Sequence, residues 1–314
     1  MLNGYVLIIL AAIGFAALPI FIKWGYNLGL TKDVMLFSRF FIASVLMILI
    51  MLVRKKSQFN ISKLNFIQLV IQGFVFFGCT YAYFLSIKYT SATITNILLY
   101  TYPLMVVLMS ALIFKEKISL VKGATILIAF FGCLLVANIV NLSGQKISMI
   151  GIFYGILSAI FYAIYNINGQ YLSDKSDPFT ISAYTTIVCL LVTIAVYPSI
   201  NFPSGHSQLP MWIVGLGTAI LSTIMPLCCY QKGIALLGAS KTSILSTIEP
   251  VIATVLAFLI LGERLSTIQL SGAFLIIFGV LLLKLDKHKQ PDTLNSEVSI
   301  SLQVSTPPHT EDTR

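Results

Sequence analysis

Few side chains in this sequence could do chemistry, and most of those few sit inside apolar runs. Glu249 is the acidic residue placed deepest, within the stretch ILSTIEPVIATVLAF. A carboxylate in the middle of such a stretch either costs roughly 2.5–3.5 kcal/mol to insert or takes up a proton. It suits a substrate amine or a proton in transit. A neutral Glu bonded to a neighbouring helix is the plain structural alternative. Asn96, Tyr100 and Pro103 are spaced i, i+4, i+7 and share one helix face, and Ser243, Thr247 and Pro250 repeat that spacing. Tyr162, Tyr165, Asn166 and Gly169 form a similar stripe, which Tyr81 and Gln231 could join. Polar stripes in apolar sequence should face protein or water. Together they suggest a tyrosine-rich cavity for a zwitterionic or aromatic metabolite, held by hydrogen bonds and cation–π contact. Interhelical bonds worth about 0.6 kcal/mol each explain any single member equally well. Pro103 and Pro250 each remove a helical hydrogen bond, which makes them hinge candidates. Lys23 and Arg39 could draw an anionic group into an outer vestibule, although snorkelling to the interface accounts for both. Glu116 and Glu263, beside Lys115, Lys117 and Arg264, read as loop ion pairs or helix-end contacts.

Several chemistries are excluded by what accompanies these residues. His206, His288 and His309 all fall in a loop or near the C-terminus, and the expected spans contain no Asp. Paired aspartates, a serine with a base or a histidine-rich metal site are therefore missing, and an intramembrane enzyme is disfavoured. The cysteines Cys79, Cys133, Cys189, Cys228 and Cys229 form neither a CxxC pair nor a cluster with histidine, so no zinc site or disulfide framework is indicated. No GxxxxGK[ST] sequence is present for ATP hydrolysis by a P-loop. No cofactor is expected.

The elements that must carry these residues follow from composition. Of the 314 residues, 57% are hydrophobic and only 10% charged, with a mean hydropathy of +0.92. Soluble chains carry roughly 25% charged residues, so the solvent that fits this surface is lipid. The net charge of +9 does not point to nucleic acid, because the lysines and arginines sit in short loops between apolar runs, as topology signals do. The N-terminal run lacks Lys or Arg before Lys23 and reads as a first membrane helix, not a cleaved leader. Ten spans are predicted, at 3–22, 34–53, 66–87, 92–114, 120–140, 149–171, 180–198, 211–230, 240–262 and 267–284. Residues 288–314, rich in Ser, Thr, Pro, Asp and Glu, read as a disordered tail. With both termini cytoplasmic, the inner loops hold most of the cations, Arg54, Lys55, Lys56, Lys115, Lys117 and Lys122 among them. The outer loops hold Lys23, Lys32, Lys88, Lys146 and Arg264. Gly151 and Gly155 form a GxxxG that permits close helix packing and leaves a homodimer open.

The chain also repeats itself. Segment 92–119 aligns with 239–266 at a constant offset of 147, pairing Ala92 with Ala239, Pro103 with Pro250, Glu116 with Glu263 and Ser119 with Ser266; Gly132 then pairs with Gly279. Asn96 with Ser243, Tyr100 with Thr247 and Thr95 with Thr242 correspond in kind. Five helices per half is an odd number, so the second half enters the membrane in the opposite sense. The prediction is an all-α membrane protein of ten transmembrane helices in two inverted five-helix repeats, residues 1–143 and 144–287, with the substrate site near the midplane.

The pattern Glu249-Pro250-Val251, Leu261-Gly262-Glu263, Gly272 and Gly279 resembles the drug/metabolite transporter superfamily, in its branch with two EamA-type domains. Tyr102-Pro103, Lys115-Glu116 and Ser38-Arg39-Phe40 with Ala43 extend the resemblance over residues 5–284, with Lys115 standing where the family usually has Gly. The resemblance implies a ten-helix carrier in the bacterial cytoplasmic membrane that exports or exchanges a small metabolite, such as an amino acid or related compound. A non-transporting membrane scaffold or sensor is the alternative; it would have no use for two exchangeable halves.

Overall fold

Backbone groups in lipid must be satisfied within their own segment, and helices do this residue by residue. The computed structural model describes residues 2–53, 63–90, 92–136, 148–202, 208–261 and 266–283, and no strand occurs among them. Expectations for the tail 288–314, for Glu263, Gly262 and Arg264, for His206, and for Arg54, Lys55, Lys56 and Lys146 lie outside the described residues. The helices are α1 (Leu2–Asn27), α2 (Lys32–Val53), α3 (Lys63–Tyr89), α4 (Ala92–Leu99), α5 (Tyr102–Ile113), α6 (Leu120–Val136), α7 (Met149–Ser173), α8 (Pro178–Val196), α9 (Gln208–Ala219), α10 (Met225–Leu245), α11 (Glu249–Leu261) and α12 (Thr267–Leu282). A π turn, Ile220–Ile224, joins α9 to α10, and a 3-10 turn, Ser246–Ile248, joins α10 to α11.

Among the described residues, seven helical stretches are long and apolar enough to cross a membrane, where ten spans were anticipated from sequence. The difference has two sources. The expected spans 211–230 and 240–262 run together in one helical stretch, Gln208–Ile260, interrupted locally by the π turn, by Gly238 and by the 3-10 turn. The segments expected at 120–140 and 267–284 form the 17-residue α6 and 16-residue α12. At 1.5 Å per residue each is about 25 Å long, just short of the hydrocarbon thickness.

Apolar side chains cover the outside as well as the interior, where Phe40, Leu69 and Leu227 are fully buried. Large aliphatic and aromatic side chains such as Leu112, Leu191, Leu259 and Phe274 point outward, while hydroxyls and amides are buried. In α8, Ser182, Thr185 and Thr193 donate to the carbonyls of Pro178, Ile181 and Cys189, four residues back, at 2.6–2.8 Å. A hydroxyl satisfied by its own helix can be buried without a partner helix. The interior is built by α3 against α7 and α8, α1 against α10 and α11, and α2 against α8 and α9.

The α6–α12 pair depends on bare backbone. A Cβ on Gly272 would lie 2.6 Å from the Gly132 carbonyl oxygen, and one on Gly132 would lie 2.9 Å from the Gly272 carbonyl oxygen. Any side chain at either position would push the helices apart. The Gly151 and Gly155 face is covered within the chain. Ser86 Oγ donates to the Gly151 carbonyl at 2.8 Å, and a Cβ on Gly155 would meet Leu98 at 2.4 Å.

Candidate functional site

Two helix interruptions define the site. Pro103 and Pro250 lack the N–H that would continue the helical ladder, and each follows a disturbed turn. Before Pro103 the chain turns at Tyr100–Thr101, where Thr101 Oγ1 donates back to the Leu98 carbonyl at 2.6 Å. Before Pro250 stands the 3-10 turn Ser246–Ile248. The two interruptions fall at matching positions of the sequence repeat, Tyr100 corresponding to Thr247. They also touch: Tyr102, first residue of α5, shares a short hydrogen bond with Ser246 Oγ, and its hydroxyl donates to the Ser243 carbonyl at 3.4 Å.

A cluster of phenols surrounds this junction. The Tyr162 ring meets Tyr102 edge-on at 4.5 Å and stacks on Tyr165 at 5.8 Å and on Tyr230 at 6.2 Å. Tyr230 donates its hydroxyl to Asn166 Oδ1 at 2.6 Å, and Asn166 Nδ2 donates to the Tyr162 carbonyl at 2.7 Å. Gln231 Nε2 donates to the Tyr165 hydroxyl at 2.7 Å, and Gln72 Nε2 donates to the Tyr165 carbonyl at 3.1 Å. The Tyr165 and Tyr230 hydroxyls are thus each fixed by an amide from another helix. On the α4 side, the Tyr83 hydroxyl donates to Asn96 Oδ1 at 2.6 Å.

Glu249 opens α11, directly after the 3-10 turn. The Tyr83, Tyr100, Tyr102 and Tyr162 phenols and the Cys133 thiol lie within electrostatic range of its carboxyl. Among the described residues no cation, hydrogen-bond donor or second carboxyl engages it. As a whole residue Glu249 is half-buried.

The remaining sequence candidates are distributed as follows. Tyr100 packs against Cys133, Val136, Val251 and Ile276, next to Glu249. Ser243 and Thr247 are buried, and their hydroxyls donate to the carbonyls of Ser240 and Ile244 at 2.9 and 2.7 Å. Tyr81 stands apart: it is 40% exposed and stacks on Phe77. Lys23 is exposed near the end of α1, and Arg39 is 6% exposed on α2. Tyr83, Tyr102, Tyr230, Gln72 and Ser246 join the site without having been singled out as cavity residues. For Tyr102 and Ser246 a signal existed, since they flank the matched prolines. Tyr83 and Tyr230 are aromatic residues in apolar runs and carried none.

Glu116 belongs to a second junction. Its Oε2 accepts from Ser240 Oγ at 2.8 Å and pairs with Lys122 Nζ at 3.4 Å, and its Oε1 accepts from Gln170 Nε2 at 3.4 Å. Gln170 Oε1 accepts from the Ala239 amide at 2.6 Å. Gly238 just before it has φ 78° and ψ 161°, a conformation open to glycine alone. Ala239 therefore begins a fresh helical segment with its amide capped by Gln170 of α7, while the Ser240 hydroxyl bonds Glu116 of the α5–α6 link. This is a helix-end contact plus an ion pair, and it joins the two ends of the sequence repeat. Lys115, beside Glu116, is the described non-glycine residue with positive φ, at 54°.

The EamA-like transporter family is matched twice, at residues 2–138 and 149–285. A Bacillus subtilis (strain 168) protein named uncharacterized transporter YcbK is 27% identical over 297 residues, covering 91% of this chain and 95% of its own length. The uncharacterized transporter YyaM of the same organism is 28% identical, over 77% of this chain and 81% of its own length. The uncharacterized inner membrane transporter YicL of Salmonella typhimurium is 25% identical, over 66% of this chain and 69% of its own length. A solved crystal structure superposes with a TM-score of 0.72 at 16% identity, over 90% of this chain and 96% of the other, a likeness of fold.

Proposed function

Because the chain belongs to the EamA-like transporter family, we propose that it is a secondary transporter that carries a small metabolite across the cytoplasmic membrane by alternating access. In this reading the polypeptide forms two inverted five-helix repeats, 1–143 and 144–287, followed by the tail 288–314, with both termini cytoplasmic. α6 and α12 count as short spans, and Gln208–Ile260 counts as two spans divided at Gly238. The cargo is an amino acid or a related compound, exported or exchanged. Asn96, Tyr100, Tyr162, Tyr165, Asn166, Ser243, Thr247 and Glu249 face or frame its path, and Pro103 and Pro250 are the points where helices flex.

The observation that best supports this reading is Glu249. A carboxyl at a helix interruption, on a half-buried residue among phenols and unpartnered among the described residues, is poor architecture for a static protein. Leaving a polar group inside without a partner costs on the order of 1–3 kcal/mol. Binding a substrate ammonium, with cation–π support from the tyrosines, would recover it. A scaffold would have no reason to keep such a gap.

Counterflow into liposomes containing the full chain tests the proposal. Saturable exchange of one labelled class among amino acids, S-adenosylmethionine and nucleotide sugars is expected, with Glu249→Gln losing it while still inserting normally. Unchanged exchange in Glu249→Gln would remove Glu249 from the transport cycle. A folded, inserted protein that exchanges nothing from a broad panel would count against transport itself.

A further inference from the structure

A second ionisable side chain lies inside the protein without a counter-ion among the described residues. Arg39 is 6% exposed, yet neither of its hydrogen-bond partners is charged. Nε donates to Thr223 Oγ1 at 2.6 Å and an Nη2 hydrogen to the Ser222 carbonyl at 3.1 Å. Both partners belong to the π turn, which widens the helix and frees a carbonyl for outside use. Thr223 in turn donates to the Thr218 carbonyl, five residues back, at 2.8 Å. The turn thus aims and holds the guanidinium without neutralising it. A guanidinium has five N–H groups, and the others find no acceptor among the described residues. The same-helix acid, Asp33, is six residues away, about 9 Å along the axis, and lies toward Tyr197.

Arg39 lines a narrow cleft, open at its mouth and with enclosed room of about 20 Å³, together with Leu18, Ile22, Lys32, Leu36, Phe84 and Thr218. The walls are mostly apolar, with the guanidinium on one side and the exposed Lys32 ammonium near the mouth, 6.0 Å from the Tyr197 ring. A planar fork of N–H donors matches a carboxylate, which accepts two parallel bonds. A single enclosed guanidinium among aliphatic side chains suits a monoanion better than a phosphate. Phe84 also meets the ring of Tyr83 edge-on at 6.3 Å, and Tyr83 belongs to the Glu249 site.

We propose that this cleft is a carboxylate-binding subsite, in which Arg39 receives the carboxylate of an apolar organic acid or amino acid and Lys32 attracts it to the mouth. The inference deepens the transport reading by giving its substrate a carboxylate, but binding at the cleft is measurable without transport.

The test uses the full chain purified in detergent and titrated with isovalerate, with isovaleramide as the uncharged isostere, followed by ligand-observed NMR. Isovalerate should bind saturably and isovaleramide should not. Arg39→Gln should weaken isovalerate binding by about tenfold or more, and Lys32→Gln by about threefold, the latter effect fading with salt. Ile22→Trp, which fills the cleft but leaves the guanidinium in place, should also abolish binding and decides the matter if Arg39→Gln does not fold. Equal signals from acid and amide, or isovalerate binding unchanged in Ile22→Trp, would overturn the proposal. Isovalerate binding without counterflow of any panel compound would sink the transport reading alone. Counterflow indifferent to a substrate carboxylate, with no isovalerate binding, would sink the subsite alone.

Discussion

Glu116 and Glu249 both stand where helices are interrupted, but their surroundings have opposite designs. Around Glu116, Lys122, Gln170 and Ser240 fill the carboxylate's coordination, and Gln170 passes the connection on to Ala239 at the Gly238 break. Around Glu249 there are rings whose hydroxyls are largely directed at other partners, and no donor reaches its carboxyl among the described residues. One carboxylate holds chain segments together. The other has no partner among the described residues.

Breaking the first junction should have the largest effect. Glu116→Gln leaves Lys122, 5% exposed, as an uncompensated buried charge, and should destabilise the protein by about 3 kcal/mol. Thermal unfolding in detergent would read this, and adding Lys122→Met should recover much of the loss. Glu249→Gln should do the reverse: counterflow falls about thirtyfold, the worth of a charged hydrogen bond of ~2 kcal/mol, while the unfolding midpoint barely moves. If the two variants showed the same profile, the contrast between the carboxylates would be lost. A smaller effect is expected from Tyr102→Phe, which removes the bond to Ser246 between the two interruptions and should cost about 1 kcal/mol of stability. The smallest sharpens the picture at Lys115. Its φ of 54° is strained for a side-chain-bearing residue, so Lys115→Gly should stabilise the protein by about 0.5–1 kcal/mol.

That last position shows what a sequence reveals. The pattern of repeats places Gly262 opposite Lys115, a departure from glycine whose backbone consequence, left-handed geometry, only the structure displays. The interruptions at Pro103 and Pro250 were legible because proline has one physical meaning inside a helix and recurs at the same offset. Gly238 was not, because glycine in an apolar run is ordinary and only its dihedral angles reveal the break. The predicted helix face of Asn96 and Tyr100 leads to the site, whereas Tyr81, equally polar on paper, faces outward. Helical periodicity cannot tell one side of a three-helix neighbourhood from the other when every side is apolar. For the same reason Lys32, not Lys23, proves to be the lysine lining the Arg39 cleft.

The self-satisfied hydroxyls of α8 bear on how the chain reaches its membrane. Segments leave the insertion machinery one after another, and each spends time in lipid before its neighbours arrive. A helix whose threonines and serines already bond their own carbonyls can wait there at little penalty. The amides of Gln72 and Gln231 have no such refuge, since their bonds cross to α7. Assembly order is therefore written into side-chain chemistry: hydroxyl-bearing helices can tolerate solitude, and amide-bearing ones are driven to find company.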